Sequence, residues 1–252
     1  MCRGSLRCPL LCRCARTPGR GGSVVSRIKG LGRGVLLLAL AVLVVVVTVS
    51  AASAATGPTA VTAGGVSPER PAVSGNRVVW PDFRRGQWDI WLYDGATGQT
   101  KQITSGPGDK TMPAISGETV VYVVYGATTG ADIYAYDIAT GSTRAITTNN
   151  GDQLSPTISG NWVAWADYGT SSFTSKIAGM NLSNGTYVTV GSGTTGMREH
   201  PQAAGDWIVY EGNAGKGDWN VFAYNCTTGK TTVVANSLFD ERFPTTDGLS
   251  VA

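Results

Sequence analysis

The sequence predicts an all-β fold: a β-propeller of four-stranded blades, with about four complete blades and a partial fifth. Three observations predict it. Five prolines, Pro71, Pro113, Pro156, Pro201 and Pro244, recur at intervals of 42, 43, 45 and 43 residues, a period suited to one propeller blade. Each opens a related unit: PAVSGNRVVW, PAISGETVVY, PTISGNWVAW, PQAAGDWIVY and PTTDGLSVA. The chain also holds 34 Gly, 7 Trp and 9 Tyr with only 15% charged residues, the composition of short strands joined by tight turns.

The elements follow in order along each repeat. The x-Gly dipeptides Ser74-Gly75, Ser116-Gly117, Ser159-Gly160, Ala204-Gly205 and Asp247-Gly248 read as tight turns between a first and a second strand. A third strand begins at Asp89, Asp132, Lys176 and Asn220, 18–20 residues after each proline. Asp89-Ile90-Trp91-Leu92-Tyr93 alternates with the period of two that a strand requires. Asp94–Gly98, Asp137–Gly141, Asn181–Gly185 and Asn225–Gly229 then form hairpin loops, with Asp or Asn starting the turn and Gly at its positive-φ end. A short fourth strand closes the unit, as at Ile103-Thr104 and Ile146-Thr147. No segment of useful length carries the 3.6-residue period of a helical solenoid. A β-sandwich shares the composition but does not predict so regular a repeat.

The pattern P-x-x-S-G-x-x-V-x-W, followed by D-I-Y-x-Y-D-x-x-T-G and x-x-I-T, resembles the repeat of TolB-like β-propellers over roughly residues 59–252. The resemblance implies a periplasmic or cell-surface propeller, often six-bladed, that works mainly through protein or envelope contacts. The third repeat departs most: Lys176-Ile177-Ala178-Gly179-Met180 replaces D-I-Y-x-Y, and an irregular blade is expected there.

Residues 1–54 read as a leader and signal peptide, and 55–252 as the propeller, with blades beginning near 71, 113, 156 and 201 and a partial one at 244. Arg27, Lys29 and Arg33 precede an apolar run from Val35 to Val47, and Ala52-Ser53-Ala54 offers cleavage between Ala54 and Ala55. The expected location is therefore exported: secreted, periplasmic or cell surface. An uncleaved membrane anchor is the alternative. Cys2, Cys8, Cys12 and Cys14 lack the paired spacing of a zinc site, and an over-long start explains them more simply. The leader carries eight Lys/Arg and no acidic residue, leaving 12 basic against 17 acidic residues from 55 onward, a net of −5. That balance argues against nucleic acid as a partner.

Thr59–Thr62 sits where the outermost strand of a blade belongs, and PTTDGLSVA supplies one strand and part of another. The ring is thus expected to be incomplete, either truncated or pairing its open edges between subunits.

Two sets of connections vary in length and should emerge on one face, where binding residues concentrate. Arg84, Arg85, Asp109, Lys110, Asp167, Arg198, Glu199, His200, Glu211, Asp240, Glu241 and Arg242 decorate that face and are the candidate binding residues. No catalytic residue, metal site or cofactor is expected. His200 is the single histidine and stands where other repeats carry Arg70, Met112, Ser155 and Phe243, so the repeat does not demand it. Asp82 and Asp167 share a repeat position and could form a glycosidase pair, but a carboxylate there binds loop N–H groups more simply. Cys226 has no adjoining cation to lower its pKa. Asn181, Asn184 and Asn225 match glycosylation acceptors, relevant only in a host with that machinery. The expected function is a non-catalytic extracytoplasmic scaffold for a protein or envelope polymer. The alternatives are a polysaccharide hydrolase or lyase and a fragment of a longer propeller.

Overall fold

The computed structural model describes residues 70–252 except 128, 172, 192–194 and 214–216. The leader, the Ala54/Ala55 cleavage site and the strand expected at Thr59–Thr62 lie outside the described residues. Those residues form four antiparallel sheets of four strands and no helix. Blade one comprises β1 (Ala72–Ser74), β2 (Arg77–Asp82), β3 (Asp89–Asp94) and β4 (Gln99–Gln102). Blade two comprises β5 (Lys110–Ser116), β6 (Thr119–Ala127), β7 (Gly130–Asp137) and β8 (Thr143–Ala145). Blade three comprises β9 (Gln153–Ser159), β10 (Trp162–Asp167), β11 (Lys176–Asn181) and β12 (Tyr187–Val190). Blade four comprises β13 (Arg198–Ala204), β14 (Trp207–Gly212), β15 (Asn220–Asn225) and β16 (Lys230–Ala235). Strands in every sheet follow chain order, and the ring they trace is open. The fifth unit is a short hairpin bridged between Thr246 and Val251.

Blades pack face to face through their first three strands. Each first strand (β5, β9, β13) contacts the first three strands of the preceding blade. Val79, Ile90 and Leu92 of blade one meet Ile115, Val120 and Tyr122 of blade two. Val121, Ile133 and Ala135 meet Val163 and Trp165 at the next junction, and Ala164 and Ile177 meet Ile208 and Tyr210 at the third. Burying such a side chain contributes about 1.5–3 kcal/mol, so the period-two pattern of the strands is what holds the stack.

Small hydrogen bonds explain the rest of the repeat. The serine of each Ser-Gly turn accepts from the glycine N–H of the next blade's turn: Gly117 to Ser74 Oγ at 3.1 Å, Gly160 to Ser116 at 3.0 Å and Gly205 to Ser159 at 2.9 Å. The ladder ends at Ala204, which has no hydroxyl. In the second hairpin, Asp94, Asp137, Asn181 and Asn225 each accept a turn N–H through Oδ1. The glycines ending those turns have φ of 69–73°, a region in which other residues are strained. In blades one and two the buried Asp of D-I-W/D-I-Y accepts from the Thr of I-T: Thr104 to Asp89 and Thr147 to Asp132, both at 3.0 Å. The same threonine oxygens accept the Ile90 and Ile133 N–H groups at 2.8 Å.

Blade three is regular, contrary to the expectation from its sequence. β11 pairs with β10 in six unbroken steps, Trp162–Asn181 to Asp167–Lys176. Both halves of the Asp–Thr tie are replaced together, by Lys176 and Gly191, and Lys176 Nζ turns to Asp167 at 3.3 Å. The backbone pairing and the burial of Ile177 suffice.

A signal that sequence pattern did not show sits beside each repeat proline. Arg70, Met112, Ser155, His200 and Phe243 all have positive φ, between 37° and 55°, although a residue before proline favours extended backbone. In blades two to four the residue and its proline form a bulge opposite Tyr122, Trp165 or Tyr210. The position thus demands a backbone conformation rather than a side chain, which is why its identity varies.

Candidate binding face

The loops joining second to third strands and those joining blades are bonded to one another, so they share one face. Asp109 Oδ1 accepts the Trp88 N–H at 3.1 Å, Asp152 Oδ1 the Ala131 N–H at 3.0 Å and Asp240 Oδ1 the Trp219 N–H at 3.1 Å. The backbone carbonyls of Asp109 and Asp152 accept the N–H groups of Tyr125 and Tyr168 at 2.8 and 2.9 Å. These loops approach so closely that a Cβ on Gly151 would lie 1.3 Å from the Gly169 carbonyl oxygen. Asp109 and Asp240, expected as binding residues, therefore staple the loops. Asp152 does the same and was not singled out by sequence.

Most of the charges expected on this face are engaged within the protein. Lys110 is buried, and its Nζ lies 3.3 Å from the buried Asp89 and donates to the Gly106 carbonyl. Arg198 is also buried; its guanidinium reaches the Ser175 and Thr195 carbonyls, while its N–H donates to Ser175 Oγ at 2.7 Å. Asp82 and Asp167 accept the loop N–H groups of Arg84 and Gly169 at 2.9 and 3.0 Å, the simpler of the roles expected for them. Hydrogen bonds from the Arg84 side chain hold the Asp82 carboxyl below the usual range against the cost of burial. Arg84 lies 3.9 Å over the Trp91 ring and Arg85 6.0 Å from it. Glu241 accepts the Ser237 N–H at 3.1 Å.

One cluster is particular to blade four. Glu211 is fully buried, at the position of Pro81, Val123 and Ala166 in the other blades. His200 Nδ1 lies 3.0 Å from its Oε1, and Arg242 donates to the same oxygen from Nε at 3.0 Å and from a terminal nitrogen at 2.7 Å. The Phe243 N–H donates to Oε2. Burial opposes ionisation of Glu211, but the bonds from Phe243, Arg242 and His200 outweigh it and hold its carboxyl below the usual range. Glu199 accepts from the Tyr168 hydroxyl at 2.7 Å, and Arg242 also lies 4.0 Å over the Trp219 ring. Burial, then that bond to Glu199, pushes the Tyr168 phenol up.

Glu199, His200 and Glu211 bring three potential metal-ligand atoms within 4.8 Å of one another, a mixed set that counting histidines did not suggest. Arg242 already pairs with Glu211 at 2.7 Å and lies 3.9 Å from Glu199, so a cation entering would displace the guanidinium. The arrangement as it stands is an ion-paired lock holding the segment after blade four. No serine hydroxyl bonds His200 among the described residues. The Cys226 thiol is pushed up to about 12, chiefly by burial, which leaves it protonated and unreactive at neutral pH.

Aromatic and apolar side chains remain exposed on the loops. Phe173, Leu238 and Phe239 are 84%, 88% and 80% exposed, with Phe83, Tyr125 and Phe243 also open. Phe83, Tyr125 and Tyr168 occupy one repeat position, three residues after Trp80, Tyr122 and Trp165. That periodic series of aromatics is legible in the sequence. Two clefts open beside these rings, of about 420 Å³ at Trp88 and Tyr125 and about 520 Å³ at Asp152 and Tyr168.

No protein-family model matches the sequence, and the search of curated proteins finds no match. Solved structures do match. TolB of Acinetobacter baumannii superposes with a TM-score of 0.55 at 18% identity, over 71% of this chain and 45% of that one. A puromycin-hydrolysing peptidase of Mycobacterium tuberculosis gives 0.54 at 12% identity, over 70% and 30%. The nidogen/laminin complex gives 0.50 at 14%, over 73% and 69%. The fold is a TolB-like β-propeller, and the chain spans about half the length of the TolB chain it matches.

Proposed function

We propose that this TolB-like propeller is a non-catalytic scaffold that binds a protein or cell-envelope polymer through its loop face, outside the cytoplasm. One observation carries the reading: the loops expose aromatic and apolar side chains while most of the face's carboxylates and cations are bonded within the protein. Exposed aromatics on a rigid frame are binding chemistry. Among the neighbours, one was solved as a nidogen/laminin complex, a protein assembly. The peptidase neighbour shares less than a third of its chain with this fold, which lends hydrolysis little support. Export rests on the basic, apolar and small-residue order of the leader. No helix among the described residues is long and apolar enough to cross a membrane.

The test compares the full chain with Phe83→Ala/Phe173→Ala/Phe239→Ala in sedimentation with purified cell walls and envelope proteins. Retention should fall at least tenfold in the triple variant and not in Glu118→Ala, on the opposite face, with no soluble product released. Undiminished retention, or turnover of the wall polymer, would overturn the reading.

A further inference from the structure

The two clefts of the loop face share three equivalent repeat positions, one blade apart. Asp109, Thr111 and Tyr125 border the first; Asp152, Leu154 and Tyr168 border the second, each pair separated by 43 residues. We propose, resting on the loop-face reading above, that the clefts are successive subsites for one neutral polysaccharide chain. Clefts that recur with the blade suit a ligand that itself repeats, and a glycan repeats one chemical unit along its length.

The lining selects the class. Each cleft joins a tyrosine ring to a carboxylate whose Oδ1 is tied to a backbone N–H and whose other oxygen accepts no hydrogen bond among the described residues. Thr111 Oγ1 beside the first cleft is buried, whereas Thr170 and Ser171 add hydroxyls to the second. A sugar ring offers the matching surfaces: a C–H face for the aromatic ring and hydroxyl donors for the carboxylate. An acidic polymer would meet Asp109 and Asp152, with Arg70 of the first cleft the one cation lining either among the described residues. An extended peptide needs a free strand edge or a long apolar groove, and glycines, Thr170 and Ser171 give the second cleft neither. Two weak subsites on a rigid frame gain affinity together once a ligand spans both.

The experiment titrates the full chain with neutral cello-, malto- and laminari-oligosaccharides of one to eight units, followed by calorimetry. Affinity in at least one series should rise about tenfold or more at the length that first spans both clefts. Tyr125→Ala and Tyr168→Ala should each abolish that step. Because the Tyr168 hydroxyl is bonded to Glu199, Thr170→Ala/Ser171→Ala on the loop serves as a second variant and should weaken long chains at least threefold. Tyr187→Ala, outside both clefts, should change nothing. Absence of binding across all three series, or binding without a length step, would overturn the proposal. A proline-rich peptide or an anionic polymer captured through the same tyrosines would overturn the glycan assignment while leaving loop-face binding intact. Loss of every loop-face ligand would sink both.

Discussion

Blades two and four share a backbone but spend their polar groups differently. In blade two the carboxylate sits near the start of the third strand, where Thr147 bonds Asp132, and the second strand is apolar beside the bulge, at Val123. In blade four the third strand starts with Asn220, whose Oδ1 has no partner, and the carboxylate has moved inward to Glu211, bonded to His200 and Arg242. The first arrangement closes a blade on itself. The second ties a blade to the chain that follows it. The contrast teaches that the repeat's fold depends on burial and backbone geometry, and that its polar ties can be reassigned to hold a particular segment.

The largest expected effect checks the part the blades have in common. Ile133→Ala, in the fully buried core between blades two and three, should cost about 2–5 kcal/mol in urea unfolding. Next comes the lock of blade four. Arg242→Ala leaves Glu211 buried with fewer partners and should cost about 2–3 kcal/mol, somewhat reduced because Arg242 is about a third exposed. Adding Glu211→Val, the residue of blade two, should recover most of that loss. A double variant no better than the single one would mean that the lock works otherwise.

The lock also has a pH signature. The folded Glu211 carboxyl titrates below its unfolded value, so its stabilisation is complete above that unfolded value, about 4.3. It is lost as pH falls through the lower folded one. Glu211→Gln should flatten this part of the acid unfolding profile. Smaller effects belong to the ties of the regular blades. Thr147→Val strands the Ile133 N–H and an Asp132 oxygen and should cost about 1–2 kcal/mol. Ser116→Ala removes one rung between turns and should cost about 0.5–1 kcal/mol.

The strands and their turns were legible because burial imposes period two and each turn demands its glycine. Ser74, Ser116 and Ser159 stood out as part of the motif, yet their hydrogen bonds cross from blade to blade and have no local signature. Asp109 and Lys110 look like surface charges because loops are polar; their partners, Trp88 and Asp89, come from the preceding blade and are invisible to spacing. Glu211 has the place of a loop charge in the sequence, just after Tyr210, but the bulge at His200 and the return of Arg242 bury it. The strain at the five pre-proline residues could not be inferred, because proline predicts the opposite conformation. The aromatic series Phe83, Tyr125, Tyr168 was available at the repeat position and needed only the same alignment that revealed the prolines.

The loop face as the binding surface is the central claim. Its most direct test places a photo-crosslinking side chain at Phe173 on that face, or at Asn184 in a turn of the opposite face, in the full chain expressed in exporting cells. Adducts from position 173 and none from 184 are expected. Adducts from 184 alone, or equally from both, would contradict the account.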